Sequence, residues 1–236
     1  MATTFLAAEW RKLLMFNYSV DEKLLQPYVP KHTVLDHWHG KCFVSLVGFM
    51  FLDTKLLGLK IPFHRNFEEV NLRFYVKHFD GKEWKRGVVF IKEIVPKIAL
   101  SLVANTVYGE KYETMPMKHL WEYNEEHIKV AYSWKKDLWH TMSATTARQA
   151  TAITTGSEEE FITEHYWGYT QSRKGASEYG VEHPKWDVYK VLDYAVDVDF
   201  GKIYGANFAY LNSATPSSVF LAEGSEILVN SKRKLS

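Results

Sequence analysis

The sequence predicts a mainly β fold: a mostly antiparallel sheet, curled into a barrel or half-barrel, with a few peripheral helices. Three observations carry this. Short runs with strand patterning recur along the chain, bounded by turn residues. Aromatic residues make up 15% of the 236 residues, with 8 Trp and 14 Tyr, and such side chains fit a pleated, half-buried surface. The regular strand–helix alternation of a doubly wound fold is missing.

Taken in order, Asp21 to Tyr28 reads as a short helix, capped by Ser19 or Asp21 and stopped by Pro30. A hairpin follows, with Thr33 to Asp36 going in, a turn near His39-Gly40, and Cys42 to Leu52 coming out. Its second strand is apolar on both faces, the pattern of a strand buried on both sides. Val70 to His78 and Gly87 to Ile94 form a second hairpin about Asp80-Gly81. Pro96 opens a helix ending at Gly109, with Ile98, Leu102, Val103 and Val107 on one buried face. His127 to Lys136 and Leu138 to Arg148 form a third hairpin. Ser157 and Glu160 fit a capping box before a helix through Glu164. Trp186 to Phe200, Ala206 to Leu211 and Val219 to Val229 read as strands, the last as one or two. Nothing marks a domain boundary, so residues 1–236 are expected to form one domain.

The net charge is +1, from 29 basic and 28 acidic residues. No strong field draws the chain to nucleic acid or to an anionic membrane. The basic tail Ser231 to Lys234 reads as a short solvated terminus. No apolar stretch reaches the roughly 20 residues of a membrane span, and the N-terminus lacks a signal peptide's pattern. With a single cysteine, Cys42, read as a core residue, a cytoplasmic setting is expected. Phosphate loops, GxSxG and HExxH are absent, and no cofactor is expected.

Four stretches carry candidate chemistry. In residues 67–76, Glu69, Asn71, Arg73 and Tyr75 share one strand face. They suit a small polar ligand whose carboxylate Arg grips in a two-pronged pair, or they form a strand face turned to water. In residues 161–169, Glu164, His165 and Tyr166 offer proton carriers, though strand neighbours point opposite ways. His183 and Trp186 close a cavity mouth or make a bend. His37 and His39 have a ligand spacing but no nearby third ligand, so no metal is expected.

Five segments together resemble the YqjF-like family of uncharacterised proteins: residues 10–30, 35–49, 67–76, 156–166 and 182–186. That family is placed with acetoacetate decarboxylase-like proteins, so the resemblance implies a β-barrel enclosing a pocket, often in a homodimer. Those decarboxylases form a Schiff base on a lysine whose pKa is lowered by a second lysine. Here Tyr112 falls at the reactive position and Lys111 at the preceding proline, with Glu110 and Glu113 favouring the ammonium form. This departure counts against the decarboxylase mechanism. Glu69 is the match to a pocket glutamate. Three readings follow: a barrel binding a small organic acid through Arg73, Glu69 and Asn71, walled by aromatics such as Tyr75, Tyr166 and Trp186; an acid–base enzyme using Glu164, His183 or Glu69, or by remaining analogy Lys111; and a filled, structural barrel.

Overall fold

The structure is a computed structural model describing residues 4–172 and 175–235. It is mainly β. The elements run β1 (Thr4–Val20), α1 (Glu22–Leu25), β2 (Val34–Leu35), β3 (Cys42–Leu56), β4 (Phe67–Phe79) and β5 (Trp84–Val95). They continue with α2 (Ile98–Val103), β6 (Tyr112–Thr114), β7 (Met117–Tyr123), β8 (His127–Lys136), β9 (Leu138–Ala152) and α3 (Glu158–Thr163). The chain closes with β10 (Trp167–Ser172), β11 (Gly175–Glu182), β12 (Asp187–Asp197), α4 (Phe200–Tyr204), β13 (Ser218–Asn230) and β14 (Arg233–Lys234).

Hydrogen-bonded neighbours follow one another as β11, β10, β5, β4, β3, β1 and β13, and β13 pairs again with β11, so the path returns on itself. The joins are antiparallel except β5–β10, which is parallel and spans two residue pairs, Trp167 with Gly87 and Gly168 with Val88. A Cβ on Gly87 would overlap the Trp167 carbonyl, so this join requires glycine. From β13 the sheet continues outward through β12, β9, β8 and β7.

This arrangement creates two cores. One packs Leu14, Phe16, Val44, Leu46, Leu72 and Phe74 against Tyr132, Trp134 and Met142 of the outer strands. The other holds Leu13, Met15, Phe43, Val47, Phe49 and Tyr75 on the opposite strand faces. β3 and β4 are therefore apolar on both faces because each separates two cores. Gly48 lets β3 approach the Tyr132 ring, where an added Cβ would lie 2.8 Å from Cδ2.

The three expected hairpins fare differently. Those about Asp80-Gly81 and Asp137 form. The first does not: Val34 and Leu35 pair with Lys77 and Val76 of β4, and the His39-Gly40 turn closes only the Trp38–Lys41 bridge. Sequence proximity favoured the wrong partner because β1 already occupies that edge of β3. β1 itself, 17 residues long, lacks a period-two signal in its first half, where Ala, Leu, Lys and Glu read as neither strand nor helix.

The helix after Pro96 starts at Ile98 and is capped at Gly109 in the left-handed region. Half of its expected buried face is turned out: Ile98 is 74% and Leu102 63% exposed, while Val103 is half-buried, Ser101 is buried, and the Val107 side chain lies outside the described residues. Residues 206–212 form a 3₁₀ helix, not a strand, and bury Phe208 and Leu211 at its three-residue period. The strand expected to reach Phe200 ends at Asp197, and Asp199 caps α4. Ser157 accepts from the Glu160 amide as a capping box requires, but Glu160 accepts from Gly156 N rather than from Ser157 N. The basic tail is not a free terminus: β14 pairs with β11, and Arg233 bonds Glu178.

Candidate functional site

Alternation along β4 turns Glu69, Asn71 and Arg73 to the same side, onto the wall of a cavity of about 360 Å³. β1, β3, β5 and β11 supply most of its apolar lining, including Trp10, Phe49, Val88 and Val181. The four-residue step from Glu69 to Arg73 corresponds to about 13 Å of strand.

At one end stand three carboxyl groups. Glu69 Oε1 accepts from Asn71 Nδ2 at 3.0 Å, and its Oε2 accepts from the Tyr112 hydroxyl at 3.0 Å. Glu110 Oε1 accepts from the Thr170 hydroxyl at 2.5 Å and the Tyr179 hydroxyl at 3.2 Å. Glu93, on β5, is 2% exposed, and its Oε2 has no donor. Burial pushes the proton affinity of all three up; the charge of neighbouring acids adds to this at Glu69 and Glu93, while Thr170, Tyr179 and nearby lysines oppose it at Glu110. The group therefore retains protons well above the usual carboxylate range, and its titration belongs to the set rather than to one residue.

Arg73 is 8% exposed. Among the described residues its guanidinium touches the Met15 sulfur at 4.0 Å and lies 5.8 Å from the Tyr75 ring centre, its Nε has no partner, and it forms no ion pair. Arg does not lose its proton, so this is a buried charge without a direct ion pair among the described residues, although Glu69 feels it through space.

His165 also lines the cavity. Its Nε2 lies 3.3 Å from Asp36 Oδ2, and its buried Nδ1 has no partner. Asp36 is held well below the usual carboxylate range by His165 and by Arg86, whose Nε donates to it at 2.6 Å, against the opposing effect of burial. Burial lowers the His165 pKa to about 4 despite Asp36. At the rim His183 stacks on Trp186 with ring centres 4.1 Å apart, and Tyr166 lies 4.7 Å from His183.

Of the residues singled out from sequence, the fold brings Glu69, Asn71, Arg73, His165, His183 and Trp186 to this cavity. Tyr75 is not on its wall: its hydroxyl lies 2.6 Å from Ser45 Oγ and its ring packs on Phe161 and His165. Tyr166 donates to Glu164, and Glu164 lines a separate pocket beside Asp36 and Arg86. Lys111 is exposed, its Nζ 5.5 Å from the Tyr28 ring centre, while Tyr112 beside it reaches the cavity. No lysine lines the cavity among the described residues. His37 and His39 do not pair as ligands, because His39 turns at φ 48°. His37 instead approaches Glu22 and Cys42, whose donor atoms fall within 4.8 Å of one another. Burial and nearby acids push the Cys42 thiol up to about 11, so it keeps its proton. Glu93, Glu110, Tyr112 and Tyr179 were not read as cavity residues. Glu93 sits beside Lys92 in Ile91 to Val95, so the segment carries no signal that separates it from an ordinary strand.

A family of uncharacterised conserved proteins, DUF2071, matches residues 7–226. The chain belongs to the DUF2071 family. Within its reach, the uncharacterised protein YqjF of Bacillus subtilis (strain 168) is 28% identical over 181 residues, 75% of this chain and 72% of that protein. The DUF2071 chain also has the fold of acetoacetate decarboxylase-like proteins. The acetoacetate decarboxylase of Legionella pneumophila superposes with TM-score 0.68 at 10% identity, over all of this chain and 90% of that one. The enduracididine biosynthesis enzyme MppR, complexed with pyruvate, superposes with TM-score 0.66 at 10% identity, over all of this chain and 92% of that one. Among the described residues no helix is long and apolar enough to cross a membrane.

Proposed function

We propose that this DUF2071 protein is a single β-barrel domain, working as a homodimer, that binds a small organic acid inside the barrel. One observation carries this reading: Arg73 is a buried guanidinium on a cavity wall with no anionic partner among the described residues. A buried charge is costly unless something neutralises it, and a ligand carboxylate supplies two parallel acceptors for it. Trp10, Phe49 and Trp186 wall the ligand, and Asn71 and Glu69 orient it. A structural neighbour that holds pyruvate supports the same ligand class. The volume, about 360 Å³, suits a compact molecule and weighs against a solidly filled interior.

The test is a ligand-observed NMR screen of short-chain carboxylates against wild type and Arg73→Met. Wild type should bind members of the panel and the variant none. Equal binding to both would remove Arg73 from the site.

A second reading, acid–base catalysis, is favoured by the Asp36–His165 pair. Asp36 orients the ring, and the free Nδ1 is a proton acceptor at the cavity. If turnover of any bound acid is found, Asp36→Asn should lower kcat more than it raises KM. A proportionate rise in KM alone would assign the pair to binding.

A further inference from the structure

The hydrogen-bonding groups of the cavity are unevenly distributed. At the Arg73 end there is a surplus of donors, since the guanidinium carries five N–H groups and no acceptor, and Nε is unpartnered. At the carboxyl end the surplus is of acceptors. Two buried oxygens there, Glu93 Oε2 and Asn71 Oδ1, have no donor, and Glu93 and Asn71 are 2% and 1% exposed. The donors present are shared among the acids: the Asn71 amide bonds Glu69, the Tyr112 hydroxyl bonds Glu69 and also acts on Glu93, and the Thr170 and Tyr179 hydroxyls bond Glu110.

Hydrogen bonding to a neutral ligand does not require carboxyl groups here. Gln or Ser would do it without the cost of crowding three acids in an apolar wall. Three acids facing one cavity are explained by a group that is both cationic and rich in N–H donors, which an ammonium or guanidinium is.

We propose that the ligand is a zwitterion: an organic acid whose carboxylate meets Arg73 and whose ammonium or guanidinium meets Glu93, Glu69 and Asn71. The roughly 13 Å of strand between Glu69 and Arg73 favours charges separated by several carbons over an α-amino acid. The proposal rests on the organic-acid reading above and adds the second, cationic contact. It carries a proton consequence. The carboxyl set holds protons when empty, because burial and the neighbouring acids favour the neutral form. Tyr112 and Tyr179 stay protonated, while Arg73 acts on Glu69, and Lys111 and Lys232 on Glu110, in the opposite sense. An arriving cation favours the ionised form, so its binding releases protons.

The experiment compares matched pairs, straight-chain carboxylates of four to eight carbons with and without a terminal amine, by titration calorimetry at pH 7.5 in two buffers of different ionisation enthalpy. At one chain length the amino acid should bind at least tenfold tighter than the plain acid and release protons. Glu93→Gln, which keeps shape and removes the charge, should erase that preference while leaving the plain acid's affinity within about twofold; Glu93→Leu, apolar and of similar size, is the second variant should Glu93→Gln fail to fold. If the plain acid binds as well as its partner at every length, the cationic contact is overturned and the organic-acid reading stands. If neither series binds wild type while the protein is folded, both readings fall.

Discussion

Two arginines in this protein should respond oppositely to the same substitution. Arg73 is 8% exposed and has no carboxylate partner among the described residues. The effective cost of such a buried ion is several kcal/mol. Its compensations are weak: the Tyr75 ring 5.8 Å away, at the outer limit of a cation–π contact and worth about 0.5 kcal/mol, and a through-space interaction with Glu69, which burial keeps largely protonated. Arg73→Met keeps most of the aliphatic stem and removes the charge, so unliganded protein should gain about 1–2 kcal/mol. In a chain of this size that raises Tm by roughly 3–6 °C. Arg86, by contrast, donates to buried Asp36 at 2.6 Å and covers the Phe161 ring at 4.8 Å. Arg86→Met leaves Asp36 with Lys77 at 3.2 Å and His165, and should cost about 3 kcal/mol, a fall on the order of 5–10 °C. Scanning calorimetry on both variants at pH 7.5 without ligand decides the matter. A fall for Arg73→Met as large as for Arg86→Met would refute the reasoning, because the guanidinium would then be anchoring the fold.

Gly87→Ala should open the narrow β5–β10 join, since its Cβ meets the Trp167 carbonyl; a loss of about 1–3 kcal/mol and faster amide exchange in β10 are expected, and unchanged exchange would contradict it. The buried imidazole of His165 is neutral when folded, so its contribution is present above pH 6.5 and lost as pH falls toward about 4. The full drop is worth about 3 kcal/mol, and the carboxyl set works in the other direction, being most stabilising at low pH and less so as pH rises. Denaturant melts at pH 7 and pH 5 should therefore show wild type losing more than His165→Asn, and parallel losses would sink the assignment. Tyr112→Lys should form no borohydride-trapped adduct with pyruvate, because Glu69 and Glu93 beside it stabilise the ammonium; a mass shift matching the reduced adduct would overturn that. Cys42, 4% exposed with its thiol pushed up to about 11, should react with an aromatic disulfide reagent only on unfolding, and prompt labelling of native protein would show that it is accessible.

The parts of the fold legible in the sequence are those set by local chemistry. Asp80-Gly81 and Asp137 make their turns because short-range backbone geometry decides them. Partner choice across the sheet was not legible. Val34 and Leu35 pair with Lys77 and Val76 of β4, far along the chain, because β1 and β4 already flank β3. The 206–212 segment shows a related limit: apolar residues three apart and two apart coexist there, and only the packing of Phe208 and Leu211 selects the 3₁₀ period. In the site, β4 alternation revealed Glu69, Asn71 and Arg73 because a single strand carries them. Glu93, Glu110 and Tyr179 come from β5, the loop after α2 and β11, and no pattern within one segment brings those together.

Tyr112 stands where the resemblance to the decarboxylases would put a reactive lysine, and its surroundings decide whether an amine could work there. A Schiff base needs a free amine, and therefore surroundings that penalise an ammonium. The Tyr112 surroundings do the reverse: Glu69 and Glu93 flank it, and its hydroxyl donates to Glu69 at 3.0 Å. Tyrosine is consistent with that setting, since burial and the same acids keep its proton in place and make it a lasting donor. An acid set that holds protons and an arginine that cannot lose one place opposite polarities about 13 Å of strand apart. These surroundings are what the proposed recognition by complementary charge requires, and they disfavour covalent capture by an amine at this position.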